Sequence, residues 1–112
     1  MTTPPPLELT PQQVRRMLRD DPDSFTLLDC REPTEWAACR IQPALHIPMG
    51  DIPARLQELD PDRPIVVYCH HGMRSLSVTQ FLIQHDFTDV KSMAGGIDAW
   101  SLQIDPTVPR YD

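Results

Sequence analysis

The densest chemistry in the chain lies in six consecutive residues, Cys69-His70-His71-Gly72-Met73-Arg74: a thiol, two imidazoles, a glycine and a guanidinium. They follow Ile65-Val66-Val67-Tyr68, a continuous apolar run, and precede Ser75 to His85, where Val78, Phe81 and Leu82 recur at helical spacing. A cysteine between a strand and a helix N-terminus meets unpaired backbone N–H groups and the positive end of a helix dipole, and both favour the thiolate. Gly72 lets the loop curl until those N–H groups converge on the sulfur. The expected chemistry is that of a thiolate, with Cys69 as nucleophile. A thiol after an apolar strand is most often inert core, but this run is too polar and too permissive for a core. His70 and His71 divide evenly between substrate contact and plain solvation. Metal ligation by Cys69 and two adjacent histidines is disfavoured, because neighbouring side chains cannot all face one ion without strain.

A second polar group, Asp29-Cys30-Arg31, ends the apolar run Phe25-Thr26-Leu27-Leu28. In an open α/β sheet such strand ends border the crevice where sites form. Asp29 and Arg31 are therefore expected beside the cysteine loop, and one carboxylate, Asp29 or Glu35, is expected to pair with Arg74 and fix it. Glu32 and Glu35 otherwise read as solvated surface charges. Cys30 and Cys39 read as structural thiols rather than resolving ones, and Trp36 and Trp100 as packing residues.

The elements that position these residues alternate. Residues 1–6, with Pro4 to Pro6, are expected to be a disordered, stiff proline-rich lead without a packing partner. Leu7-Glu8-Leu9 suits a short edge strand. Thr10 as N-cap, Pro11 at the first helical position and Gln13 closing a capping box start a helix carrying Val14, Met17 and Leu18. Further strands are expected at residues 25–28, 45–47, 65–68 and 90–93, with 65–68 at the sheet centre. Helices are expected at 34–38, after Asp51 with Ile52, Leu56 and Leu59 on one face, at 75–85, and beyond Gly95-Gly96. Alternation of this kind predicts an α/β domain with a mainly parallel sheet.

The chain has 112 residues, enough for one domain. With 10 Lys+Arg against 16 Asp+Glu, its net charge of -6 repels phosphate backbones, so nucleic acid is not an expected partner. No apolar run is long enough to span a bilayer, and the N-terminus lacks the pattern of a secretory signal, so no membrane is implied. An odd number of cysteines without CxxC spacing fits neither a disulfide framework nor a zinc site. Free thiols in a reducing, cytoplasmic compartment and no cofactor are the expectation.

Four segments in order also resemble one family, the single-domain rhodaneses or thiosulfate sulfurtransferases. They are Leu28-Asp29-Cys30-Arg31-Glu32-Pro33 with Glu35-Trp36, Ile47-Pro48, Val67-Tyr68-Cys69 with Gly72 and Arg74, and Gly95-Gly96-Ile97-Asp98-Ala99-Trp100. The resemblance spans residues 7–104 and leaves 105–112 as a C-terminal tail. It implies a rhodanese-like fold, an α/β structure with a central, mainly parallel five-stranded sheet and helices on both faces. It also implies a persulfide on Cys69, a cradle from the backbone of residues 70–74, and structural roles for Asp29 and Arg31. The implied reaction takes sulfane sulfur from thiosulfate or a similar small donor to cyanide, a thiol or a protein acceptor. The chain departs from the family at Cys39-Arg40-Ile41-Gln42-Pro43-Ala44, where a glycine-containing segment is usual. His70 and His71 also stand where thiosulfate-using members tend to carry basic residues.

Two alternatives share the fold. A non-catalytic binding module is opposed by the intact Cys69, Gly72 and Arg74. A phosphatase is opposed by loop length, because four residues between Cys69 and Arg74 close around one sulfur rather than a phosphoryl group. Magnitudes limit what the loop does to the thiol. A cysteine of pKa ~8.5 is roughly 3% thiolate at pH 7, and lowering the pKa by about 2 units raises that about 25-fold. Nucleophilicity falls meanwhile by roughly 6- to 10-fold. The net gain is a few-fold, so the N–H groups must act mostly by binding the anionic donor and holding the persulfide.

Overall fold

The computed structural model describes residues 7–111, so the expected proline lead lies outside the described residues. Five strands, β1 (Glu8–Leu9), β2 (Thr26–Asp29), β3 (Leu45–His46), β4 (Ile65–Tyr68) and β5 (Val90–Met93), form one sheet in the order β1-β5-β4-β2-β3. All pairings are parallel, and β4 lies at the centre, as its unbroken β-branched run requires.

Side-chain alternation on β4 divides the core. Ile65, Val67 and Cys69 face one apolar cluster with Leu28, Cys30, Ile52, Val78 and Leu82. Val66 and Tyr68 face the other, with Val14, Leu27, Ile97 and Trp100. Helix α3 (Met73–Gln84) therefore covers one face, while α1 (Pro11–Asp20) and α4 (Gly96–Gln103) cover the opposite one. The capping box at Thr10 and Gln13 is present at the start of α1, worth about 0.5–2 kcal/mol. Among the described residues no helix is long and apolar enough to cross a membrane.

One expectation needs correction. The helix after Asp51 is a pair of 3-10 segments, Met49–Asp51 and Pro53–Glu58, with non-helical backbone at Arg55. Pro53 has no N–H to return to the Met49 carbonyl, so the turn opened at Met49 cannot run on as an α-helix, although Ile52, Leu56 and Leu59 still pack inward. Residues 105–111, expected as a C-terminal tail, run along the domain: Val108 and Tyr111 pack against the second cluster, and Ser101 Oγ donates to the Val108 carbonyl at 2.8 Å.

The glycine-free segment at 39–44 is held by side chains instead. Tyr68 Oη accepts from Ile41 N at 3.1 Å, Arg31 Nη2 donates to Cys39 O at 2.6 Å, and Cys39 and Ile41 are buried. Helix α2 (Pro33–Ala38) leads into this segment from the end of β2.

Candidate active site

The chain leaves β4 at Tyr68 and enters α3 at Met73, so residues 69–72 form the strand-to-helix loop at the carboxyl end of the central strand. Gly72 takes φ of 109°, a left-handed conformation that side-chain-bearing residues rarely adopt, and this turns its N–H onto Cys69 Sγ at 3.1 Å. The N–H of Ser75, in the first turn of α3, reaches the same sulfur at 3.3 Å, and Ser75 Oγ lies 3.4 Å from it.

Helix α4 aims the rest of the loop. Its first-turn N–H groups, on Ile97 and Asp98, donate to the carbonyl oxygens of Cys69 and His70 at 2.8 and 3.1 Å. In a trans peptide the N–H points opposite to the C=O, so the amides of His70 and His71 turn away from α4. This docking requires Gly96, where a Cβ would run into those same two carbonyls.

Cys69 is only 1% exposed, yet its thiol is held below the ordinary cysteine range. The largest cause is the Cys30 thiol on the neighbouring strand; burial opposes it, and the Ser75 hydroxyl and the N–H groups of Ser75 and Gly72 add to it. Cys30 shifts the other way, through its contact with Cys69 and its own burial, and remains a thiol. Ser75 Oγ lies 2.7 Å from Ser92 Oγ and 3.2 Å from the Gly72 carbonyl, so a buried hydroxyl pair supports the sulfur from behind.

Arg74 pairs with Glu35, not Asp29. The fork is bidentate, at 2.7 and 2.9 Å, and joins α3 to α2 across the loop. This corrects the reading of Glu35 as a surface charge: Arg74 holds its carboxyl down at about 2. Asp29 instead pairs with Arg31, both at 0% exposure, with contacts of 2.7 and 3.0 Å. Among the described residues, the Arg31 guanidinium hydrogen-bonds to Asp29, Cys39 and Tyr111 rather than to the loop. Its Nη1 donates to Tyr111 Oη at 3.0 Å, and Tyr111 Oη in turn donates to Glu35. The Tyr111 ring also stacks on His70 at 3.9 Å.

The expected substrate contacts therefore separate. His70, Arg74, Glu35 and Tyr111 line a cleft of about 470 Å³ with Thr34 and Ala38. His70 Nε2 is buried there without a hydrogen-bond partner. The side chain of His71 is 64% exposed and approaches Asp98, while Met73, 82% exposed, points to solvent. Ser75, Ser92 and Tyr111 escaped the sequence reading: serines in a helix and a strand look ordinary, and Tyr111 follows the last recognisable motif. Among the described residues no group of acidic, histidine and cysteine side chains is placed to hold a metal ion.

Comparison with known proteins agrees with this architecture. The family model for the rhodanese-like domain matches residues 10–103. A sulfurtransferase of Allochromatium vinosum is 37% identical over 94 residues, covering 84% of this chain and 87% of its own. The thiosulfate sulfurtransferase GlpE of Glaesserella parasuis is 33% identical, covering 83% and 84%. Among solved structures, a rhodanese-related protein from Thermoplasma volcanium superposes with a TM-score of 0.79 at 26% identity, covering 93% of this chain and 98% of that one.

Proposed function

The chain belongs to the rhodanese-like domain family, and from that premise we propose that it is a sulfurtransferase working through a persulfide on Cys69. The observation that carries the reading is the convergence of the Gly72 and Ser75 N–H groups on a buried, acidified sulfur. Thiosulfate, or a donor like it, presents its outer sulfur to the Cys69 thiolate; the new S–S bond forms as the old one breaks, and sulfite departs with the electron pair. The loop amides then hold the charged terminal sulfur until a thiol, a protein thiol or cyanide removes it.

Arg74, fixed by Glu35, is the positioning residue that ends the loop. His70 lines the approach to it, and Asp29 acts at a distance by setting Arg31 and, through it, Tyr111. The relatives named sulfurtransferase support the reaction class. The three free thiols support a reducing, cytoplasmic setting for it.

Incubation with thiosulfate followed by intact-mass measurement tests the reading. The protein is expected to gain one sulfur atom and lose it on adding cyanide, whereas Cys69→Ser gains none. Ready hydrolysis of an aryl phosphate with no sulfur uptake would overturn it in favour of a phosphatase.

A further inference from the structure

Cys30 has no part in the transfer just described, yet it stands opposite Cys69 on the neighbouring strand. The β2–β4 ladder ends with Asp29 opposite Tyr68, and Cys30 N continues it by donating to Tyr68 O at 3.2 Å. Cys30 and Cys69 are thus cross-strand neighbours, and alternation puts both in the same apolar cluster. Adjacent strands stand about 4.8 Å apart, inside the roughly 4.4–6.8 Å between Cα atoms that a disulfide accepts. Both residues are essentially inaccessible, at 0% and 1% exposure. The Cys30 thiol donates to the Tyr68 carbonyl at 3.5 Å, which holds its sulfur at the carboxyl end of β4, where Cys69 follows. Cys30 approaches from the sheet, whereas the amides of Gly72 and Ser75 approach from the loop and α3. Cys39 belongs to the opposite face, where its sulfur lies 3.9 Å from Arg31 Nη1.

We propose that Cys30 is the resolving thiol of this site: a Cys69 persulfide that meets no external acceptor is discharged by Cys30, leaving a Cys30–Cys69 disulfide and releasing sulfide. The inference rests on the persulfide reading above. In the step, the Cys30 sulfur attacks Cys69 Sγ, the bond from Sγ to the terminal sulfur breaks, and the terminal sulfur leaves as HS⁻ with the Cys30 proton. The sulfane sulfur is reduced by two electrons, and the two cysteine thiols are oxidised to the disulfide. No other oxidant is needed. A small-molecule or protein dithiol then reduces the disulfide by exchange. Over one cycle, thiosulfate and two thiols become sulfite, hydrogen sulfide and one external disulfide. Because Cys30 rests as a buried thiol, the discharge is slow beside transfer to an acceptor that is present.

The test uses wild-type protein loaded with thiosulfate, freed of excess donor, and held without oxygen, thiol or cyanide. Sulfide release and non-reducing mass are followed together. The expected course is loss of the added sulfur, a final mass two hydrogen atoms below the reduced chain, about one equivalent of sulfide, and a cross-linked peptide joining Cys30 to Cys69. Cys39→Ser should follow the same course, and Cys30→Ser should keep its added sulfur and release none. Persistence of the adduct in wild type, or its loss without the Cys30–Cys69 link, overturns the inference and leaves the sulfurtransferase reading standing. Failure to take up sulfur at all overturns both. If Cys30→Ser does not fold, the wild-type peptide map decides alone.

Discussion

Both terminal nitrogens of Arg74 are engaged by Glu35, so the guanidinium serves to hold the loop rather than to offer a free charge to substrate. Arg74→Ala is expected to lower kcat/KM for thiosulfate by about 10- to 100-fold, because small displacements of a reacting group have effects of that size. His70→Ala removes one wall of the cleft and leaves that ion pair in place, so its effect should be smaller. Equal, small losses in steady-state assays would mean that the backbone alone shapes the site. Tyr111 is the second residue-scale test. Its hydroxyl links the buried Arg31 to Glu35, and Tyr111→Phe keeps the stack on His70 while leaving Arg31 Nη1 short of a partner. Denaturant titration should show a loss of about 1–3 kcal/mol, accompanied by a fall in activity. An unchanged midpoint and unchanged activity would deny the link.

Helix α4 shapes the loop chiefly through its backbone, and its Asp98 carboxylate approaches the exposed His71 ring at 4.0 Å. Its N-terminal amides take the carbonyls of Cys69 and His70, and Gly96 makes the close approach possible. Gly96→Ala therefore pushes α4 off the loop and strains a residue whose φ is +63°. A loss of at least about 2 kcal/mol in stability is expected, with poorer sulfur uptake in the fraction that folds. Elements of this kind were readable where local chemistry and tertiary need agree. The β-branched run at 65–68, the Thr10 capping box and the Gly95-Gly96 turn all announce themselves. The segment after Asp51 misled because its apolar spacing is helical, whereas the kind of turn that forms there depends on backbone hydrogen bonds that spacing does not encode. The Cys69 loop was legible from residue types alone. Which carboxylate meets Arg74 was not, since that depends on how α2 docks beside α3.

At the scale of the whole molecule, the site ties together segments distant in sequence: β2 and α2, the β4–α3 loop, the start of α4, and residue 111. Stability and site geometry should therefore respond to acid together. Glu35 titrates at about 2 in the folded chain against an ordinary value of 4.5, with the Arg74 hydrogen bonds as the main cause. An unfolded chain takes up this proton first. The contribution of the pair is thus complete above pH 4.5 and is lost as the pH falls from there towards 2. Unfolding midpoints measured across this window should decline more steeply for wild type than for Arg74→Ala, in which Glu35 has lost its main partner. Parallel slopes for the two proteins would show that the pair contributes nothing to the acid limb.

Trp36 stands beside Glu35 on α2, its ring stacked on His46 at 4.7 Å and covered by the Arg40 guanidinium at 4.4 Å. His46 Nε2 reaches the Arg31 carbonyl oxygen at 2.7 Å. The indole is thus in contact with an imidazole and a cation, on the helix that clasps the Cys69 loop, so its surroundings change whenever α2 shifts. Trp100, the chain's other indole, is buried in the core on the opposite face of the sheet from Cys69. The protein accordingly carries its own optical gauge: any movement of α2 during the proposed sulfur transfer is expected to change Trp36 fluorescence, with Trp36→Phe as the blank.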